Sequence, residues 1–470
     1  MTPPRRPLAL LALLAVLALV PAPTRASPPT RHDLWSVFQL ALHNDPAYRE
    51  ALETARAQGE VTDIARGALL PAVSLSAHLS QTNQSGSTLQ TAPLQNKFFT
   101  YSANDASNVR DAGYAATLTQ TLFNWAAWAG LSQANAEAAE ARATLASTIQ
   151  SILLTVAQGY FNVLYADDLL AAQRAARVAD GELLALAKEE YRVGLQPITN
   201  ERQAKASYDL ARAGELAARL QRETALQALA SVVGRPLTHL APLVHHLPLL
   251  PPQPNDLSRW IDGALADNPS LLAAHDAVRA ARENIGVVAA RGLPNLSLLL
   301  SHQRNDSNGT QAYSSVVSSS ESPDVFHGNV NLLELNLSWP IYTGGEVSAS
   351  VSQARAQYRA QSATTEATRR SVVQQTHDDY LTVLSDIAQV RAYRSSVRAS
   401  RTALKATQEG YKVGTQTITD VLTARQNLLT AEENYAQSRY NYLEALLSLK
   451  ADAGRLTPAS LLALNRYLRP

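Results

Sequence analysis

Val73-Ser74-Leu75-Ser76-Ala77-His78-Leu79-Ser80 alternates apolar and polar side chains at every step. Successive side chains of a β-strand point to opposite faces, so this segment has one apolar and one polar face. Ala116-Thr117-Leu118-Thr119-Gln120-Thr121-Leu122 follows the same period. Two further segments do so later in the chain: Asn295-Leu296-Ser297-Leu298, which blurs at Leu299-Leu300, and Glu334-Leu335-Asn336-Leu337-Ser338-Trp339. The pattern predicts four strands, at 71–82, 112–123, 294–304 and 330–341. Each is about ten residues long, the length a tilted strand needs to cross a bilayer. The stretches between them, Asn83 to Asp111 and Arg304 to Asn329, are rich in Ser, Asn and Gly and predict solvated loops.

The second strand pair follows from a duplication. Ala41-Leu42-His43-Asn44-Asp45-Pro46 returns as Ala264-Leu265-Ala266-Asp267-Asn268-Pro269, and Ala65-Arg66-Gly67 as Ala290-Arg291-Gly292. Tyr160 returns as Tyr380, Tyr191-Arg192-Val193-Gly194 as Tyr411-Lys412-Val413-Gly414, and Gly234-Arg235 as Gly454-Arg455. Many matches in order at nearly one offset mark an internal repeat. The first repeat occupies 27–240 and the second 256–455, joined by a Pro-rich linker at 241–255 and followed by a tail at 456–470.

Each repeat reads alike. An amphipathic helix, about 33–67 or 256–291, ends at Leu70-Pro71 or Leu293-Pro294, because proline cannot continue a helix and restricts the residue before it. The strand pair follows. A proline-free stretch, 126–193 or 346–413, then predicts a helix of about 100 Å. In the first, Leu131, Ala138, Leu145 and Ile152 recur at sevens with Ala134, Ala141 and Thr148 between them, a coiled-coil seam. The chain turns at Val193-Gly194 or Val413-Gly414 and returns as a helix over 198–232 or 418–451.

Composition narrows the function. Arg5 and Arg6, the apolar run Leu8 to Val20 and the small, polar stretch to Ala26 have the layout of a secretory signal peptide at 1–26. The 41 basic and 40 acidic residues nearly balance, which gives no field for nucleic acid. There is no cysteine for a disulfide or a lipid anchor. The ten histidines, His245-His246 among them, have no ligand spacing, so no metal is expected. Gly344-Gly345 lacks the rest of a phosphate loop and reads as a strand-to-helix turn. Asp167-Asp168 and Asp378-Asp379 sit on long helices without a nucleophile or base, and read as solvated or interhelical carboxylates. No cofactor is called for, and no catalytic constellation is visible.

Four strands cannot close a barrel, and lipid tolerates no open sheet edge. The strands must therefore be pooled with copies of the chain: two copies give about eight and three about twelve. Val73, Leu75, Leu335 and Leu337 would then face lipid, with Ser74, Ser76, Asn336 and Ser338 lining a wet lumen. Phe123, Trp125, Trp339 and Tyr342 lie at strand ends, where aromatic residues favour the membrane interface; core packing is an equal reading for Trp125 and Trp128. The helices are too polar for lipid and must project into water.

These residues resemble the TolC family of outer-membrane efflux and secretion channels. The resemblance is carried by Gly410-Tyr411-Lys412-Val413-Gly414-Thr415-Gln416-Thr417-Ile418-Thr419-Asp420-Val421-Leu422 with Ala424-Arg425, and by Tyr191-Arg192-Val193-Gly194-Leu195. Trp339-Pro340-Ile341-Tyr342-Thr343-Gly344-Gly345 and Gln120-Thr121-Leu122-Phe123-Asn124 add to it. It implies an α+β membrane protein in the cell outer membrane: a homotrimer with a twelve-stranded β-barrel, four strands per protomer, continued by a long α-helical barrel in the periplasm. It further implies passive conduction of substrates to the exterior, as the exit duct of a tripartite efflux pump or type I secretion system. The partners it implies are a periplasmic adaptor protein, an inner-membrane RND or ABC transporter and outer-membrane lipid.

The resemblance also places a periplasmic gate at the helical tips. Asp420 aligns with the first acidic position of the family's narrow ring, and Thr423 stands at the second. Gln416 stands where the family has a locking arginine, Tyr411 matches its tip tyrosine, and Asn200 stands where an acidic partner is frequent. Val193, Gly194, Leu195, Val413, Gly414 and Thr415 would be the tips that meet the adaptor. The alternative is a periplasmic adaptor-like helical-hairpin protein, which predicts one hairpin between β-rich domains rather than two hairpins each preceded by a strand pair.

Overall fold

The computed structural model describes residues 32–94, 97–244, 247–316 and 318–468. The signal-peptide segment 1–26 and the pair His245-His246 lie outside the described residues.

The first helix of each repeat is divided, where a single helix is predicted. α1 (Leu34–Asn44) gives way to α2 (Pro46–Gly67), and α5 (Leu257–Asp267) to α6 (Pro269–Ala289). The cause is local. Asp45 and Asn268 adopt extended backbone and cap the following helix, accepting from the amides of Ala47 (2.7 Å) and Leu271 (3.0 Å), with proline next in line. A cap followed by proline starts a new helix rather than continuing the old one.

The strands reach further than the alternation predicts. β1 (Ala72–Leu94), β2 (Lys97–Phe123), β3 (Asn295–Ser315) and β4 (Ser319–Ser338) form one antiparallel sheet in chain order. Most of the expected loops Asn83 to Asp111 and Arg304 to Asn329 are paired strand, as in Asn83 opposite Asn108 and Ser307 opposite Phe326. Alternation marks only the part of a strand whose two faces differ, one apolar and one polar. Beyond that band the residues are mostly polar on both faces, and only the ladder of backbone hydrogen bonds reveals the strand.

The register puts Val73, Leu75, Leu335 and Leu337 on one face: Val73 lies opposite Leu118, Leu118 opposite Leu300, and Leu300 opposite Leu333. Ser74, Ser76, Asn336 and Ser338 share the other face. Along β3 and β4 the apolar face ends at His302, whose Nδ1 lies 2.6 Å from Asn331, and at the group Arg304, Asp306 and His327. Both outer strands, β1 and β4, keep an unpaired edge within the chain.

Two long helices leave the sheet. α3 (Trp125–Arg192) follows β2, its start capped by the Asn124 side chain, which accepts from Ala127 N at 3.2 Å. α7 (Glu346–Lys412) follows β4 through Gly344 and Gly345, whose φ values of 63° and 88° suit only glycine. Each is about 100 Å long. α2 and α6 pack along the sheet-proximal part, and the return helices α4 (Ile198–Val233) and α8 (Ile418–Asp452) along the distal part. Among the described residues, no helix is long and apolar enough to cross a membrane.

The main core lies midway, where a belt wraps the helices. Phe38 of α1, Phe161 of α3, Leu229 of α4 and Leu443 of α8 are buried there. Linker residues join them: the Tyr160 hydroxyl sits between the carbonyl oxygens of Ala241 (2.8 Å) and His32 (3.1 Å), and Tyr442 donates to Leu250 O at 2.9 Å. The stretch expected as a tail contains α9 (Pro458–Asn465), which buries Leu461 and Leu464 in this core. Asp167 pairs with Arg222 Nε at 2.5 Å, and Asp168 accepts from Tyr440 at 2.8 Å, so both tie helices together.

Candidate functional site

The distal ends of the two hairpins lie far from the sheet, and their turns are built identically. After Val193 the amide of Leu195 donates to Glu190 O (2.8 Å) and that of Gly194 to Tyr191 O (3.0 Å). After Val413, Thr415 donates to Gly410 O (2.8 Å) and Gly414 to Tyr411 O (3.1 Å). This crossed pair of bonds satisfies the last free carbonyls of a helix and demands a left-handed residue, supplied by Gly194 (φ 77°) and Gly414 (φ 80°). The turns hold Leu195 and Val413 outward, each 74% exposed, with Val193 beside them. Gly194, Gly414 and Thr415 are exposed as well.

The helix starts that follow differ. α4 begins after Pro197, which offers no side-chain cap. α8 begins with a capping box: Asp420 Oδ2 accepts from Thr417 N and from Thr417 Oγ1, both at 2.8 Å, and Thr417 Oγ1 accepts from Asp420 N at 3.2 Å. The hydrogen bonds from Thr417 hold the Asp420 carboxyl below its usual range. Asp420 is exposed, and Thr423, one turn on, is exposed too. Asn200 turns its amide to Gln196 Oε1 at 3.0 Å within its own hairpin. Gln416 folds against Gly410: a Cβ placed there would come within 2.7 Å of Gln416 Cγ, so the glycine makes room for this side chain.

Tyr411 joins the hairpins. Its hydroxyl donates to Glu190 Oε2 at 2.6 Å, and burial, with Glu190 next, drives the phenol well above its ordinary range. Thr419 Oγ1 lies 3.0 Å from Gln203 Oε1, and Leu183, Ala187, Ala204, Ile418 and Val421 pack between the hairpins. Higher up, Asp180, only 7% exposed, accepts from Arg425 Nη1 (3.0 Å) and Ser207 Oγ (2.8 Å), linking α3, α4 and α8. Gln173 donates to Glu433 at 2.6 Å.

Glu190, Asp180 and Glu433 escaped the sequence reading. Motif alignment inspects equivalent positions of the two repeats. Each of these bonds joins non-equivalent positions: Glu190 corresponds to Gly410, and Tyr191, the counterpart of Tyr411, has an exposed ring.

At the sheet end, Phe123, Trp125, Trp128, Trp339 and Tyr342 are exposed, Tyr342 to 87%. Core packing within the chain therefore does not account for Trp125 or Trp128. Among the described residues, no group of three or more His, Cys, Asp or Glu is placed to hold a metal ion.

Two long helical hairpins leaving an open sheet with one apolar face have known counterparts. The family described as "Outer membrane efflux protein" matches residues 37–235 and 260–455. Outer membrane protein TolC of Salmonella enteritidis is 31% identical over 437 residues, 93% of this chain and 84% of the relative. The alkaline protease secretion protein AprF of Pseudomonas aeruginosa is 28% identical over 90% of this chain and 85% of its own length. Among solved structures, the open state of the Neisseria gonorrhoeae MtrE outer membrane channel superposes with a TM-score of 0.69 at 23% identity, over 90% of each chain. CusC does so with a TM-score of 0.72 at 16% identity, over 90% of this chain and 92% of that one. With both repeats matched and TolC aligned over nearly the whole length, the chain belongs to the outer membrane efflux protein family.

Proposed function

We infer that this chain is an outer-membrane exit duct that conducts substrates passively from the periplasmic side to the exterior. The observation that carries this is the sheet: four strands, one apolar face and two unpaired edges. Lipid would leave those edge amides and carbonyls without partners, so copies must complete the barrel. Family channels act as trimers with efflux or secretion pumps. Three copies make a twelve-stranded barrel continued by a helical tunnel. A periplasmic adaptor meets the tips at Val193, Leu195 and Val413, and an inner-membrane RND or ABC transporter loads the duct. Outer-membrane lipid meets the apolar face and the aromatics Phe123, Trp125, Trp339 and Tyr342.

The gate lies at the tips. Three Asp420 carboxylates narrow the aperture with negative charge, which favours cations. Their cap bonds keep them ionised and fixed to the first turn of α8. Tyr411–Glu190 and Arg425–Asp180 hold the hairpins of one chain together, and opening requires both to yield. Gln416, Thr423 and Asn200 add no ionic link, so the resting state is held by fewer charge-assisted bonds than an arginine at 416 would allow.

Conductance of the purified assembly in planar bilayers tests this. Pores are expected, with a small resting conductance that Gln416→Arg lowers further. A processed chain that stays a water-soluble monomer and never conducts would refute the duct; an unchanged resting conductance in Gln416→Arg would refute the gate.

A further inference from the structure

Where α7 passes the belt, its side chain Asp379 meets Asp452, the last residue of α8, and the duct mechanism uses neither. The two carboxyls lie within hydrogen-bonding reach of each other. The Oδ2 atom of each is buried and has no donor. Asp379 Oδ1 accepts from Gln375 Nε2 at 3.1 Å, and Asn268 Nδ2 donates to the backbone oxygen of Asp452 at 2.8 Å. The pair is thus fixed between α7, α8 and the α5–α6 junction.

The surrounding charges do not neutralise it. On α7 the neighbour is Asp378, which adds repulsion. The α5–α6 junction brings Asn268 and the Asp267 backbone oxygen, which leaves no room for a Cβ at Gly454. From α8 and the turn after it come Lys450, which lines a cavity of about 290 Å³ under the linker, and Arg455, whose guanidinium lies over the Trp260 ring. Among the described residues, none of these cations bonds either carboxyl.

Ionising two neighbouring carboxyls whose Oδ2 atoms are buried and donor-free is strongly disfavoured, and one proton held between them would give the orphaned atoms a partner. We propose that Asp379 and Asp452 share one proton at neutral pH and so form a proton-dependent clamp that ties α7 to the root of α8 at the belt. Burial raises both carboxyls above the ordinary range; the charge and hydrogen bond of Asp379 push Asp452 further, whereas the bond from Asp452 favours the Asp379 carboxylate, so the shared proton resides on Asp452.

The first repeat lacks the device. The counterparts of Asp379 and Asp452 at the offset of Tyr160 and Tyr380 are Gly159 and Val232, and Gly159 packs against Leu229. At this position one hairpin root has apolar contact alone, and the other adds a proton-dependent contact to its apolar core. Because the folded-state affinity for that proton is raised, the native chain binds more protons than the unfolded one. Its stability falls as pH rises from the usual carboxylate range through the raised value.

The test is the pH dependence of the thermal midpoint of the full-length assembly in detergent, from about pH 5.5 to about pH 8.5. Glu444, pushed up to about 7 by burial alone, also titrates in this window, so Glu444→Gln is the control. The wild-type midpoint is expected to fall by roughly 2–4 °C more across the range than that of Asp379→Asn or Asp452→Asn. In either variant an amide donor replaces the proton. Glu444→Gln should keep that difference. A wild-type slope equal to that of both Asn variants would overturn the clamp. Infrared difference spectra at neutral pH supply a readout independent of folding energy: the carbonyl stretch of a protonated, buried carboxyl should be present in the wild type and weaker in both Asn variants. A band of unchanged intensity in both would also overturn it.

Discussion

The two repeats share a backbone plan and divide the chemistry between them. Gly194 and Gly414 make the same turn, and Asp45 and Asn268 break the same helix by the same cap and proline. At other matched places the side chains part: Pro197 against Thr417, Asn200 against Asp420, Gly159 and Val232 against Asp379 and Asp452. The second repeat holds the capping box at the tip and the buried acid pair at the belt. The first supplies the acceptors, Glu190 and Asp180, that receive Tyr411 and Arg425. After a duplication, positions whose constraint is backbone geometry stay alike, because few residues satisfy it. Positions facing the other repeat are free to become complementary, because two different surfaces now meet.

Arg425→Ala should break this division hardest. Asp180 would be left largely buried with only Ser207 as partner, and the contact between hairpins should weaken by about 3 kcal/mol. Faster amide exchange along the distal part of α8 and a higher resting conductance are the measurements. Its matched position in the first repeat is Lys205, which pairs with Asp209 on the exposed side of α4; Lys205→Ala should change neither.

Tyr411→Phe sharpens the contrast at the tip. It removes a bond to a charged acceptor, worth about 1.5 kcal/mol, and should raise the resting conductance. Tyr191→Phe, at the equivalent place, should leave it unchanged; equal effects would mean that the repeats do not differ here.

The smallest effect is one of pH. The Asp420 carboxyl is held below its usual range, so its contribution to capping α8 is present above the ordinary carboxylate pKa and is lost as pH falls through the lowered value. Asn200 does not titrate. Fraying of the first turn on acidification, followed by amide exchange, should therefore appear at α8 and not at α4, and Asp420→Asn should abolish the difference.

Particular residues show how far the sequence could be read. The membrane band of the sheet was legible from Val73 to Ser80 because lipid on one face and water on the other impose period two. The outer strands were not, because Asn83 to Asp111 is wet on both sides and polarity there resembles a loop. The long helices and glycine turns were legible from heptad spacing and from the match of Val193-Gly194 to Val413-Gly414. The break at Asp45-Pro46 was written in the sequence as a cap followed by proline, yet a periodicity that continues across it concealed it. α9 was missed because eight residues are too few to show a period.

The chain's order of elements, its duplication, the apolar face of each strand and the bend at each tip were set by local sequence, since they depend on neighbours a few residues apart. The pairing of Tyr411 with Glu190, of Arg425 with Asp180 and of Asp379 with Asp452 was decided only by the fold. Those partners are separated by 221, 245 and 73 residues, and whether two side chains meet across such a distance depends on how whole helices pack.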